Sequence, residues 1–191
     1  MGLTGNLTDP ARYDLKPSEA GGRVLDVGCG SKKHPGAVGI DLSADTDADI
    51  VHDLNSLPWP IEDSSFDQIL LQDVIEHLDD LYGVFAELHR VGRPGARVHL
   101  RTPHYSSALA YSDPTHVHFL SAAAIRGLAE PGFAHYSATR FRVVDLTIDL
   151  WLPFRAIGIE RLANRYPDLY EKYFAFCFTA MNMRAEFEVV K

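Results

Sequence analysis

Short apolar runs alternate with turn-forming and helically periodic segments along the chain. Arg23–Val27 (RVLDV) has strand length and runs into Gly28-Cys29-Gly30, the pattern of a buried strand entering a glycine turn. Ala37–Leu42 (AVGIDL) is a second such run and Phe66–Gln72 (FDQILLQ) a third. Between them, residues 45–53 set four acids around Ile50-Val51, with Asp53 closing the segment. From Asp73 to Val91, apolar residues recur at Val74, Ile75, Leu78, Leu81, Val84, Phe85, Leu88 and Val91. That spacing predicts one helix, ended by Gly92-Arg93-Pro94-Gly95. Ala96–Thr102 (ARVHLRT) is a fourth strand, with Val98 and Leu100 on one face.

The second half is less regular. Residues 103–120 form a long loop rich in His, Tyr, Ser and Asp. Ser121 is placed to cap a helix over Ala122–Ala129, stopped by Pro131-Gly132. Arg140–Leu150 alternates as a strand, and Phe154–Phe174 is largely helical with an interruption near Pro167. Thr179–Val190 alternates again as a closing strand, and residues 1–22 read as a loose lead-in. The alternation in the first hundred residues predicts a mainly parallel sheet with crossovers on its faces. The late strands, joined by a short connection, predict an antiparallel edge. The whole chain, 1–191, is therefore expected to be a single doubly wound α/β domain with one antiparallel strand. In such sheets the ligand crevice lies outside the carboxyl ends of the strands, so Gly28–Gly30, Asp41, Asp53 and Gln72 should converge on one edge.

Composition narrows the function classes. With 18 Lys and Arg against 26 Asp and Glu, the net charge is −8, which argues against a nucleic-acid partner. No run of 18 apolar residues exists, so no membrane partner is expected. The first ten residues lack a basic start followed by an apolar stretch, and Cys29 and Cys177 make no disulfide framework; a cytoplasmic setting is the expectation.

The glycine turn suits a nucleoside. Missing Cβ atoms let the backbone approach a ligand, and Asp41, at the end of the next strand, is placed to accept from a ribose diol. A pyrophosphate site would carry a third glycine and a helix N-terminus. Here Ser31-Lys32-Lys33-His34-Pro35-Gly36 follows instead, leaving little room for a crossover helix before Asp41.

The series VLDVGCG, GIDLS, DIVHDLNSLPWPIEDSSFDQILLQDVIEHL and RVGRPGARVHLRTPH resembles the class I S-adenosylmethionine-dependent methyltransferases over residues 23–104. The loop HYSSALAYSDPTHVHFLS is similar to that of a bacterial subgroup within them. The resemblance implies a Rossmann-like, seven-stranded methyltransferase sheet and S-adenosylmethionine as cofactor. By it, Asp26, Gly28, Cys29 and Gly30 surround the cofactor's amino-acid end, and Lys32 neutralises its carboxylate. Asp41 takes the ribose hydroxyls beside Leu42, Asp53 takes the adenine amine with Leu54 in backbone contact, and Gln72 sits by the methionine. His77 either faces the cofactor or is a satisfied helix-face histidine.

Methyl transfer is an in-line displacement that needs alignment and, for a hydroxyl or carbon acceptor, a general base. The loop after the fourth strand offers His104 and His116 for that role, with Asp113 orienting one of them and Tyr105 beside them. Two other readings stay open. Asp113, His116, His118 and His104 bind a divalent metal, or Asp113-Pro114-Thr115-His116 is an Asx-type turn whose side chains cap their own backbone. The aromatic residues Tyr166, Tyr170, Tyr173, Phe174, Phe176 and Phe178 read as core or a dimer face. The expected function is methyl transfer to a small-molecule acceptor, with no resident metal and a homodimer or partner subunit allowed. The alternatives are a non-methylating enzyme using the same cofactor, and a catalytically silent cofactor-binding subunit.

Overall fold

A computed structural model describes residues 21–129 and 140–191. Nearly all of the lead-in and the helix stop at Pro131-Gly132 lie outside the described residues. Seven strands form one sheet: β1 (Val24–Val27), β2 (Val38–Asp41), β3 (Ile50–Val51), β4 (Phe66–Gln72), β5 (Gly92–Pro103), β6 (Phe141–Leu150) and β7 (Ala180–Val189). Their order is β3-β2-β1-β4-β5-β7-β6. β1 to β5 pair in parallel, and β7 runs antiparallel to both β5 and β6. The single antiparallel strand is thus inserted one place in from the edge, and β6 holds the edge itself.

The short connection after Gly30 contains no helix, and neither does the one between β2 and β3. The turns there are held by carboxylates instead. The predicted helix over residues 73–91 is divided. A 3-10 turn spans Ile75–His77, Leu78 is extended, and helix α1 starts only at Leu81 and runs to Val91. Asp80 explains the new start, because its side chain accepts from the Gly83 amide and caps the first turn. α1 then buries Val84, Phe85, Leu88 and Val91 on the sheet, with the Phe85 ring edge-on to Phe141 and Phe187 at 5.5 and 5.7 Å.

Beyond β5, a short helix α2 (Ala108–Ser112) interrupts the expected loop. Helix α3 (Ala122–Ala129) begins as expected, the Ser121 hydroxyl accepting from the Ala124 amide. Three short helices follow β6: α4 (Leu152–Ala156), α5 (Ile159–Arg165) and α6 (Pro167–Tyr173). Pro167 opens α6 at a position where its missing amide costs nothing. Among the described residues no helix is long and apolar enough to cross a membrane.

Candidate functional site

The carboxyl ends of β1, β2, β3, β4 and β5 lie along one edge of the sheet. At the end of β1, Gly28 and Gly30 have φ of +65° and +54°, the left-handed region that favours glycine. A Cβ on Gly28 would stand 2.4 Å from Val74 Cγ2, whereas one on Gly30 would meet nothing within 4 Å. The first glycine packs the turn, and the second leaves open space.

Three acids pin this turn. Asp26 is buried and its Oδ2 accepts from the His34 amide at 2.7 Å; burial pushes its carboxyl above the usual range. Asp41 Oδ2 accepts from the Gly30 amide at 2.8 Å and its Oδ1 from Ser43. Asp49, read as one of several acids in a polar loop, accepts from the Gly39 amide and pairs with Lys33, both at 2.8 Å. These bonds replace the crossover helix that the segment is too short to form. Asp53 is exposed and closes an Asx turn on the Asn55 amide. Lys32 is exposed and its neighbour Lys33 makes the ion pair. Cys29 is buried, and desolvation with Asp26 and Asp41 nearby pushes its thiol up to about 11. Leu42 is exposed on the outer side, while Leu54 is core and its carbonyl is taken by Trp59 Nε1. Gln72 ends β4, half-buried.

Next along the edge, a cavity of about 510 Å³ opens at the ends of β4, β5 and β7. Asp73, Glu76, His77, Arg101, His116 and Trp151 line it, together with Met181 and Asn182 from β7. Asp73 has φ +55°, rare for a non-glycine residue. Its amide donates to the Arg101 carbonyl, and its carboxylate takes two bonds from the Arg101 guanidinium. Glu76 is only 1% exposed. Its Oε2 accepts from the Thr102 hydroxyl at 3.0 Å, while its Oε1 is buried without a hydrogen bond. Burial pushes this carboxyl up to about 7. The Glu76 carbonyl also accepts from the Val117 and His118 amides, which ties the histidine loop to the 3-10 turn.

The loop histidines separate. His116 lines the cavity, and its Nδ1 lies 2.8 Å from the Ala110 carbonyl. His77 joins it, the two rings meeting edge-on at 4.6 Å. His104 is fully buried and is not among the residues lining the cavity. The Ser106 amide donates to its Nδ1, so its Nε2 carries the proton and faces Glu171 Oε1 at 3.1 Å. Tyr105 gives its hydroxyl hydrogen to the Glu171 carbonyl. Asp113 is exposed and accepts from both the amide and the hydroxyl of Thr115, the Asx turn weighed above; these bonds hold its carboxyl below the usual range. Its link to a ring runs through Thr115 to His77. Of the aromatic stretch, Tyr170 is buried, while Tyr166, Tyr173, Phe174 and Phe176 lie exposed away from this cavity.

Sequence patterning named His77 and His116 but missed Glu76, Asp73 and Arg101 as lining residues. The one available signal was position, since Asp73 and Glu76 directly follow a strand end, as Asp41 does.

Residues 25–100 match a family model described as a methyltransferase domain. No curated protein sequence matches the chain. Among solved structures, an S-adenosylmethionine-dependent methyltransferase from Mesorhizobium loti is similar at TM-score 0.62 and 16% identity, covering 98% of this chain and 100% of that one. One from Archaeoglobus fulgidus is similar at TM-score 0.59 and 16% identity, covering 87% and 85%. A third lies in the complex of the Haloferax volcanii Trm112 methyltransferase activator with a candidate methyltransferase, at TM-score 0.59 and 18% identity, covering 92% and 85%. At such identities the likeness is one of fold.

Proposed function

We propose that the chain, whose residues 25–100 match a methyltransferase-domain model, is a class I S-adenosylmethionine-dependent methyltransferase that transfers a methyl group to a small-molecule acceptor held in the cavity at the ends of β4, β5 and β7. The cavity carries this reading, since it opens at Asp73, the residue after Gln72, on the same strand-end edge as the glycine turn. The cofactor supplies a methyl group on a positively charged sulfur, ready for in-line displacement. The residues of the turn fit it: open space stands over Gly30, and the Asp41 carboxylate, with two backbone bonds made, keeps lone pairs for a diol.

In this reading Asp41 holds the ribose, with Leu42 beside the adenine and Asp53 and the Leu54 backbone at its far edge. Asp26, Gly28 and Cys29 shape the turn, Lys32 stands near the carboxylate end, and Gln72 separates cofactor from acceptor. Arg101, fixed by Asp73, presents positive charge to the acceptor. His116 aligns the accepting atom. Alignment alone supplies several kcal/mol of a displacement barrier, roughly 7–11 at the upper end for well-oriented pairs. His104, Tyr105 and Asp113 act on the loop's shape in this reading rather than on the acceptor.

The test is turnover. Purified protein with S-adenosylmethionine and a panel of small hydroxyl and amine acceptors should form S-adenosylhomocysteine and methylated product in equal amounts. Tight cofactor binding with no S-adenosylhomocysteine formed across the panel would overturn the transferase reading.

One observation favours a second reading, a subunit that works with a partner. Leu162, Leu169 and Phe174 are exposed around an apolar hollow of about 330 Å³ between α5 and α6. A sedimentation experiment on the isolated chain reports whether that face self-associates.

A further inference from the structure

Glu76, His77 and His116 bring three ligating atoms within 4.8 Å of one another. Two come from the 3-10 turn after β4 and one from the loop after α2, so the fold itself assembles the set. Glu76 Oε1 is buried and makes no hydrogen bond. His116 Nε2 stands 3.9 Å from it, too far for a hydrogen bond. A buried acceptor left without a hydrogen bond is unfavourable, and more so when charged. Two bonds of roughly 2.0–2.2 Å to one ion span that gap.

The rings are prepared for this. The Ala110 carbonyl can only accept, so His116 carries its proton on Nδ1 and presents a bare Nε2. Thr115 Oγ1 spends its hydrogen on Asp113 Oδ1 at 2.6 Å and so accepts from His77 Nδ1 at 2.9 Å. His77 Nε2 is then bare as well. Outer hydrogen bonds that fix the tautomer in this way are what ligating histidines regularly show. Asp113 thereby acquires a role, holding His77 through Thr115.

We propose that Glu76, His77 and His116 form a two-histidine, one-carboxylate site for a divalent first-row transition ion, with open positions toward the cavity. Both imidazole and carboxylate donors suit zinc or iron(II), and three protein ligands leave room for a further oxygen ligand. The site stands on its own geometry. Only its use, coordinating an oxygen of the acceptor, rests on the transferase reading above.

The experiment is calorimetric titration of chelator-treated protein with Zn²⁺ alone, without cofactor. One equivalent should bind at low micromolar Kd or tighter. Glu76→Gln, His77→Ala and His116→Ala should each weaken binding at least tenfold, and Asp113→Ala should weaken it less. His89→Ala, at a half-buried histidine outside the set, should leave it unchanged. Circular dichroism of each variant establishes folding, and if Glu76→Gln does not fold the two histidine variants decide. No stoichiometric binding, or binding that survives the ligand substitutions, overturns the site. A parallel titration with S-adenosylmethionine on the metal-free protein tests the cofactor separately, so either reading can fail without the other.

Discussion

The Gly30 amide donates to Asp41 Oδ2 at 2.8 Å, bridging the ends of β1 and β2. One carboxylate therefore shapes the turn and, in the proposed reading, holds the ribose. Asp41→Ala should lose both contributions. With charged hydrogen bonds worth about 1.5–3 kcal/mol, cofactor affinity should fall roughly ten- to a hundredfold by calorimetry. Asp41→Asn, which keeps one acceptor oxygen, should fall less. Wild-type affinity in Asp41→Ala would remove this residue from the cofactor site.

The two glycines of the turn should respond differently to a methyl group. Gly28→Ala combines a positive φ with a 2.4 Å approach to Val74 Cγ2. Left-handed backbone costs roughly 1–2 kcal/mol and overpacking roughly 1–3, so Tm should fall by about 5–15 °C. Gly30→Ala has only the backbone cost, because its Cβ meets open space. Its Tm should fall by only about 2–8 °C, while cofactor affinity drops because the methyl group occupies the ligand's space. Thermal melts beside calorimetry separate the two.

His104 and His116 should part in the same manner. His104→Ala deletes a buried ring bonded to Ser106 and Glu171, and should cost about 2–4 kcal/mol of stability. His116→Ala lies on a cavity wall. It should shift Tm by no more than a few degrees and cut turnover about a hundredfold. A stable, inactive His104→Ala would return that histidine to the chemistry.

Cysteine labelling tests the interior of the turn. The Cys29 thiol is raised to about 11, so at pH 8 roughly one molecule in a thousand carries the thiolate, the reactive form. The raised value also means that the neutral thiol persists as pH climbs through the range where an ordinary cysteine ionises. Cys177 is exposed. Native protein at pH 8 should take up one equivalent of iodoacetamide quickly, at Cys177, and a second only on unfolding. Mass spectrometry of the labelled peptides reads the outcome.

The strand-end acids were legible because a strand stops where its apolar run stops, and the next polar residue has nowhere to point but the edge. Asp41 and the glycine pair followed from that alone, whereas Asp26, inside β1, entered only through the resemblance. The helix break at residues 78–80 was partly legible, since Asp80 has the chemistry of a cap, yet Leu78 and Leu81 kept the apolar period intact across it. Asp49 stood in the sequence only as one of four acids around Ile50-Val51. Its partners, the Gly39 amide and Lys33, are set by the folding of a loop that has no period to read.

The cavity was harder to read. Glu76 stands on a short turn, and its burial comes from Thr102 on β5 and from the loop that crosses it. Neither neighbour lies within 25 residues of it in sequence, as the separation of 26 between Glu76 and Thr102 shows. His104 was misleading for the same reason. It sits in a segment rich in polar residues, and only Glu171, 67 residues on, turns it into a structural group.

β7 enters the sheet between β5 and β6, and it brings Met181 and Asn182 to the cavity wall. A chain emerging from the ribosome can pair β1, β2, β4 and β5 and hold the glycine turn long before residue 180 is made. The cavity cannot be complete until that late strand has taken its place between two neighbours already synthesised. The glycine turn thus lies wholly in the first half of the chain, while part of the cavity wall waits for its last strand.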